Sequence, residues 1–196
     1  MPLGIVCGEL PPDEPGPAEE PPPGEDPVPE IPPIRVSDVA SFAPQPVGPV
    51  IEPHGIGVRG APMNVAISAP VHTVGGTLFD LPVSVTFTPA SYAIDYGDGS
   101  AQTVSGGVGT WEELGQEQLT ATPTSHAYAE RGAYVVTVSV SYSAVVDFGR
   151  WGAHPVQGLV TPAAHTTEVE VYEIRTGLVD STCLEDPTGP GCAAVG

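Results

Sequence analysis

From residue 34 onward, apolar and polar residues alternate in short runs separated by glycine and proline. Period-two alternation marks a strand with one buried face. It is clearest over 133–148 (AYVVTVSVSYSAVVDF), where Tyr134, Val136, Val138, Val140 and Tyr142 share one face. Val135, Thr137, Ser139 and Ser141 share the other, which predicts a long, half-buried antiparallel strand. Residues 63–74 (MNVAISAPVHTV), 81–88 (LPVSVTFT, bounded by Pro89), 91–96 (SYAIDY) and 125–129 (SHAYA) read as further strands. In 166–176 (TTEVEVYEIRT), Val169, Val171 and Ile174 interleave with Glu168, Glu170 and Glu173, the pattern of an edge strand blunted by charge. Residues 34–42 (IRVSDVASF) predict a first strand or its approach, and only 110–118 (TWEELGQEQ) suggests a turn or two of helix. Many short strands with turn signals between them predict an all-β protein built as an antiparallel β-sandwich.

Proline and charge divide the chain further. Residues 9–33 hold nearly half proline and eight acids without one base. Such a segment buries too little apolar surface to offset its ordering entropy, so 1–33 is expected to be a disordered, extended acidic arm. The sandwich domain is expected over 34–178, with 179–196 as a C-terminal tail. Across the chain, 24 acidic residues oppose five arginines (Arg35, Arg59, Arg131, Arg150, Arg175) and no lysine, a net charge of -19. A polyanion lacks the cations that release phosphate counterions, which argues against nucleic acid and anionic membranes as partners. No run of residues is long and apolar enough to span a bilayer, and residues 3–6 (LGIV) are too short for a signal-peptide core. Export must then be inferred from other features.

The three cysteines are Cys7, Cys183 and Cys192. Cys183 and Cys192 enclose a turn-rich loop, LEDPTGPG, that makes a terminal disulfide staple sterically easy. The pairing would matter in an oxidising compartment, and it leaves Cys7 without a partner in the chain.

Residues 92–100 (YAIDYGDGS) describe a strand that stops at a Gly-Asp-Gly turn. Gly97 and Gly99 accept positive φ at no steric cost, and Asp98 can bond its own turn backbone. Downstream, SHAYAERGAYVVTVSV places a tight turn at Glu130, Arg131 and Gly132 ahead of the long strand. This pair of motifs resembles the PKD family of immunoglobulin-like sandwiches, with Tyr96, Gly97, Asp98, Gly99, His126, Tyr128, Gly132, Tyr134 and Val136 matching position by position. Two positions depart from the family pattern. Ile94 stands where tryptophan is usual, and Glu130-Arg131-Gly132 replaces a proline-containing turn. The stretches DVASFAP, GTWEELG and LVDSTCLEDPTGPGC extend the resemblance to actinobacterial secreted or envelope PKD-domain-containing proteins. That resemblance implies export and cell-surface exposure, and it implies no known reaction.

Asp95 and Asp98 flank Tyr96 and are the candidates for a calcium site, against a reading in which Asp98 closes its turn and Asp95 is solvated. The five histidines (His54, His72, His126, His154, His165) lack metal-ligand spacing, and His126 is expected to hydrogen-bond structurally. Glu112 and Glu113 follow Trp111, but adjacent carboxylates point different ways, so glycoside chemistry is not favoured over a solvated turn. No nucleophile elbow is present. Tyr128 is expected to be a hydroxyl-anchored tyrosine near a strand start. Trp111, Phe148 and Trp151 lie in glycine-rich loops, and Phe148 and Trp151 are expected at the surface. Trp111, Arg150 and Trp151 are candidate contact residues; for Trp111 a core role is favoured over contact, and Trp151 beside Arg150 is the leading contact candidate. The chain is thus expected to be a non-enzymatic secreted or cell-surface module without a cofactor, engaging a protein or glycan at the cell envelope or acting as a spacer. The alternative is an accessory domain of a secreted hydrolase, or a cryptic hydrolase.

Overall fold

In a computed structural model, which describes residues 30–175, 182–186, 188, 189 and 192, two long strands carry most of the architecture. These are β5 (Leu81–Asp95) and β7 (Gly132–Asp147). The other strands are β1 (Val50–Glu52), β2 (Ile56–Val58), β3 (Asn64–Ala66), β4 (His72–Leu78), β6 (Ala101–Val104), β8 (Ala153–Pro155) and β9 (His165–Tyr172). One helical turn, α1 (Val36–Val39), completes the set with two short 3-10 turns. The protein is all-β.

β5 and β7 pair antiparallel from Ser84↔Asp147 to Asp95↔Thr137. Each exchanges its outer neighbour partway along. β5 pairs β4 through its first half and β6 through its last residues. β7 pairs β9 through its first half and β8 through its last residues, with a single bridge between Tyr142 and Val160. Short β2 adds parallel to β9, which makes the sheet mixed. β1 and β3 form a separate two-stranded sheet, and isolated bridges tie residues beside β3 to His126 and Val108.

β7 follows the predicted alternation. Val136, Val138, Val140, Tyr142, Ala144 and Val146 are buried, while Val135 on the opposite face is 48% exposed. In β5 the buried set is Val83, Val85 and Phe87, then Tyr92 and Ile94, so the inward parity switches from odd to even. The register shifts between Pro89 and Ser91, which leaves Ala90 unpaired. An extra residue flips every later side chain to the other face, and a proline is tolerated at a bulge because one ladder donor is already missing there. The runs 81–88 and 91–96 are therefore one bent strand, not two. The core gathers these residues with Ile51 and Val65 of the small sheet, Met63 and Ile67 beside it, and Val169 and Val171 of β9.

Other expectations need correction. Residues 36–42 form α1 and a 3-10 turn instead of a strand, with only a single bridge from Arg35 to Gln157, and Ile34 and Val39 are buried against the core. Ile31 also packs on the core, inside the stretch assigned to the arm; residues 1–29, with Cys7, lie outside the described residues. The run 63–74 is split at Ala69-Pro70 into β3 and β4, and 125–129 contributes only the Met63–His126 bridge. β9 is an edge over only part of its length, since β2 covers its far side at Glu170, Val171 and Tyr172. Ile174 lies past the strand and is 69% exposed. Residues 111–115 make hydrogen-bonded turns, where the sequence suggested a turn or two of helix. Cys183 and Cys192 are disulfide-bonded with Cα atoms 5.4 Å apart. Among the described residues, no helix is long and apolar enough to cross a membrane.

The two faces of the β5–β7 ladder respond differently to truncation. Ile94→Ala, at a site 1% exposed, lowers the unfolding free energy by about 2–5 kcal/mol in urea titration. Val135→Thr, on the open face, changes it by no more than about 0.5 kcal/mol.

Candidate functional site

The turn after β5 is closed by its own carboxylates. Asp95 Oδ1 accepts the Gly97 N–H at 2.8 Å, Asp98 Oδ1 accepts the Ser100 N–H at 2.9 Å, and Tyr96 N donates to Ser100 O at 3.0 Å. Gly97 sits at φ +79°, and a Cβ there would lie 2.6 Å from Val135 O of β7. Backbone conformation and close approach both demand glycine.

Around this turn the motif residues interlock. Asp98 Oδ2 meets His126 Nε2 at 2.7 Å, with the two side chains only 20% and 17% exposed. The His126 ring stacks on Tyr96 at 4.3 Å and presents an edge to Tyr128 at 4.7 Å. Tyr128 stacks in turn on Tyr134 at 4.3 Å. Tyr128 is fully buried and its hydroxyl donates to Tyr96 O at 2.9 Å, the anchoring expected of it. The Tyr96 hydroxyl donates to Thr124 O at 3.0 Å and accepts a bond from Gln102 Nε2. The His126 backbone exchanges two hydrogen bonds with Met63. Tyr134 donates to Glu130 O at 3.0 Å, which holds the turn containing Gly132 at the start of β7.

Electrostatics follow from this packing. Burial pushes the Tyr96 hydroxyl up to about 12, with a further push from the Asp98 charge, and burial pushes Tyr128 higher still. For Asp98, desolvation pushes upward, but the bonds from His126 and Ser100 outweigh it and hold the carboxyl below its ordinary value. The two tyrosines therefore stay protonated and Asp98 stays ionised at neutral pH. Each of the side chains Asp95, Tyr96, Asp98, His126 and Tyr128 makes at least one hydrogen bond within the turn or the cluster.

The calcium candidates belong to this arrangement. Asp95 and Asp98 each commit an oxygen to turn backbone, and Asp98 commits its second to His126. Among the described residues, no three or more His, Cys, Asp or Glu side chains are grouped to hold a metal ion.

Of the candidate contact residues, the structure leaves two together at the surface. Arg150 is exposed, with its guanidinium 4.6 Å above the ring of Trp151, which is half-buried against the core. Their turn is fixed by Gly149 N–H donating to Asp147 Oδ1 at 2.8 Å and Phe148 N–H donating to Gly152 O at 2.9 Å. Trp111 takes the core role favoured for it and drops out as a contact residue: it is 1% exposed, its indole N–H donates to Thr120 O at 3.0 Å, and no face remains for a partner. Phe148, expected at the surface, is 2% exposed under the edge of His154. Glu112 is exposed, and Glu113 Oε2 accepts the Thr110 N–H at 2.8 Å, so the two carboxylates do not converge.

One polar cluster was missed. Asn64 is fully buried and donates to Glu52 Oε2 at 2.8 Å and to Gly109 O at 3.2 Å, while its Oδ1 accepts from Thr122 at 2.7 Å. Glu52 Oε2 also accepts the Trp111 N–H at 2.9 Å. These bonds pin the 109–124 segment to β1 and β3. The available signal was a polar residue inside an otherwise apolar strand, since a buried amide must find partners.

Two shallow concavities lie elsewhere. One of about 430 Å³ sits over Asp95, Thr103, Thr137 and Ser139, and one of about 390 Å³ over Arg131, Glu170, Tyr172 and Glu173. No family model matches the chain, and no curated protein or solved structure matches it.

Tyr128→Phe leaves Tyr96 O without its buried donor and costs about 1–3 kcal/mol of stability, read by urea unfolding. Because folding holds Asp98 below its unfolded value, its pairing stabilises fully above the unfolded carboxylate value of about 4 and is lost as pH falls through the folded value. Melting temperature measured against pH will therefore fall on the acid side in the wild type, and Asp98→Asn will flatten that limb.

Proposed function

We propose that the chain is a non-enzymatic, secreted or cell-surface module of the PKD-like, immunoglobulin-type sandwich kind that engages a protein or glycan. The carrying observation is the mutual satisfaction of Asp95, Tyr96, Asp98, His126 and Tyr128, which turns the most chemistry-bearing residues into scaffold. A reacting group needs a free lone pair or proton aimed at substrate. Here Asp98 and His126 Nε2 bond each other, Asp95 Oδ1 closes its turn, and the Tyr96 and Tyr128 hydroxyls donate to backbone carbonyls. The long β7 shared between partners, the parallel β2–β9 edge and the anchored Tyr128 support the sandwich assignment. The Cys183–Cys192 disulfide supports an oxidising compartment.

The contact surface in this reading is the turn after β7. Arg150 and Trp151 combine a cation with an aromatic face on a backbone that its own hydrogen bonds hold rigid. Trp and Arg are the side chains that most often dominate binding energy, and a pre-ordered turn loses little entropy on association.

Immobilised full-length protein, probed with cell-envelope fractions and a glycan array, retains a specific component. Trp151→Ala weakens that retention about ten-fold or more without changing the melting temperature by the same proportion as a core truncation. Folded wild type that retains nothing would leave only a spacer role. Turnover of a polysaccharide or casein, abolished by one carboxylate substitution, would overturn the non-enzymatic reading.

A further inference from the structure

We propose that β4 is a self-association edge, through which two copies of this chain pair antiparallel about a two-fold axis at Gly75. The proposal is independent of the ligand argued above.

β4 ends its sheet, and among the described residues its one strand partner is β5. In an antiparallel ladder, alternate residues turn their N–H and C=O groups away from the partner, so β4 presents a row of open backbone donors and acceptors. Proteins ordinarily blunt such an edge with charge, proline, a bulge or short length. β4 has none of these: it runs seven residues, against three in β2, three in β8 and four in β6. From Val71 to Phe79 there is no Asp, Glu, Lys or Arg, in a chain of net charge -19. An edge kept free of carboxylates is one on which a second polyanionic copy can approach without like charges meeting.

The sequence of the edge is also complementary to itself. Antiparallel pairing centred on Gly75 sets Thr73 opposite Thr77, Val74 opposite Gly76 and His72 opposite Leu78. One step further out, Val71 of one copy falls opposite Phe79 of the other, on both sides of the axis. Those two residues are large apolar groups left in solvent, 59% and 40% exposed. Phe79 and the following Asp80 sit at φ +52° and +62°, where glycine or asparagine is the usual occupant. A bulky residue held there, at a cost in backbone strain and 40% exposed, gains burial when a partner covers it. Each copy supplies the same patch, so the contact closes as a dimer and does not propagate.

Gly75 provides the test, because its backbone is not in the left-handed region and an added Cβ would meet only Val83 O at 3.8 Å. Sedimentation equilibrium of the full chain, taken from micromolar to millimolar concentration, gives a mass that rises from 20.0 kDa toward twice that value. Gly75→Lys sets two ammonium groups against each other at the axis and holds the mass at 20.0 kDa, with circular dichroism confirming the fold. A second variant reports the register without weakening the contact. Residues directly opposite in antiparallel strands have Cα atoms about 4.5–5.5 Å apart, within disulfide reach. In a Cys7→Ser background, Gly75→Cys therefore forms a covalent dimer on oxidation, while Val71→Cys does not. A wild-type mass that stays at 20.0 kDa at millimolar concentration overturns the proposal. So does a dimer that survives Gly75→Lys, or one that Gly75→Cys fails to cross-link.

Discussion

The antiparallel ladder between β5 and β7 is the constraint on which the rest of the structure depends. Its register runs through eleven residue pairs, and every other strand of the main sheet attaches to one of its two members or to β9 beside them. The bulge at Ala90 lets one strand serve two environments. Before it, β5 buries Val83, Val85 and Phe87 and carries β4; after it, β5 buries Tyr92 and Ile94 and carries β6. Without the extra residue, one half of the strand would turn its apolar side chains to water.

The site at the end of that ladder inherits its geometry. β5 stops at Asp95 because the Asp95 and Asp98 carboxylates capture the turn N–H groups and Gly97 lets the backbone fold close over Val135. This brings Tyr96 beneath His126 and leaves Tyr96 O facing the Tyr128 hydroxyl. The 120s segment, the small sheet and the start of β7 then share a single cluster of rings and hydrogen bonds. Burial raises the tyrosines, and the hydrogen bonds from His126 and Ser100 lower Asp98, so both shifts strengthen the protonation states that the bonds require.

A second polar centre does for the small sheet what the ring cluster does for the main one. Asn64 and Glu52 gather the segment around Trp111, which is buried outside the main core. The two proposed contact surfaces, the Arg150–Trp151 turn and the open edge of β4, lie outside both centres.

The sequence by itself determined the features that arise between near neighbours. Alternation assigned the two faces of β7 correctly, since successive side chains of any strand point in opposite directions. The glycines and aspartates of 95–100 announced their turn, because φ and local side-chain bonding are properties of a few adjacent residues. Only tertiary structure decided the rest. The joining of 81–88 to 91–96 across Pro89 depends on β7 pairing both halves, and the flanking of β9 depends on β2, more than a hundred residues away in the chain. Phe148 stands in a glycine-rich loop that looks exposed in one dimension, yet it is buried by segments that reach it only in the fold. Burial is a property of what packs against a residue, and for a β protein that partner is seldom a neighbour in sequence.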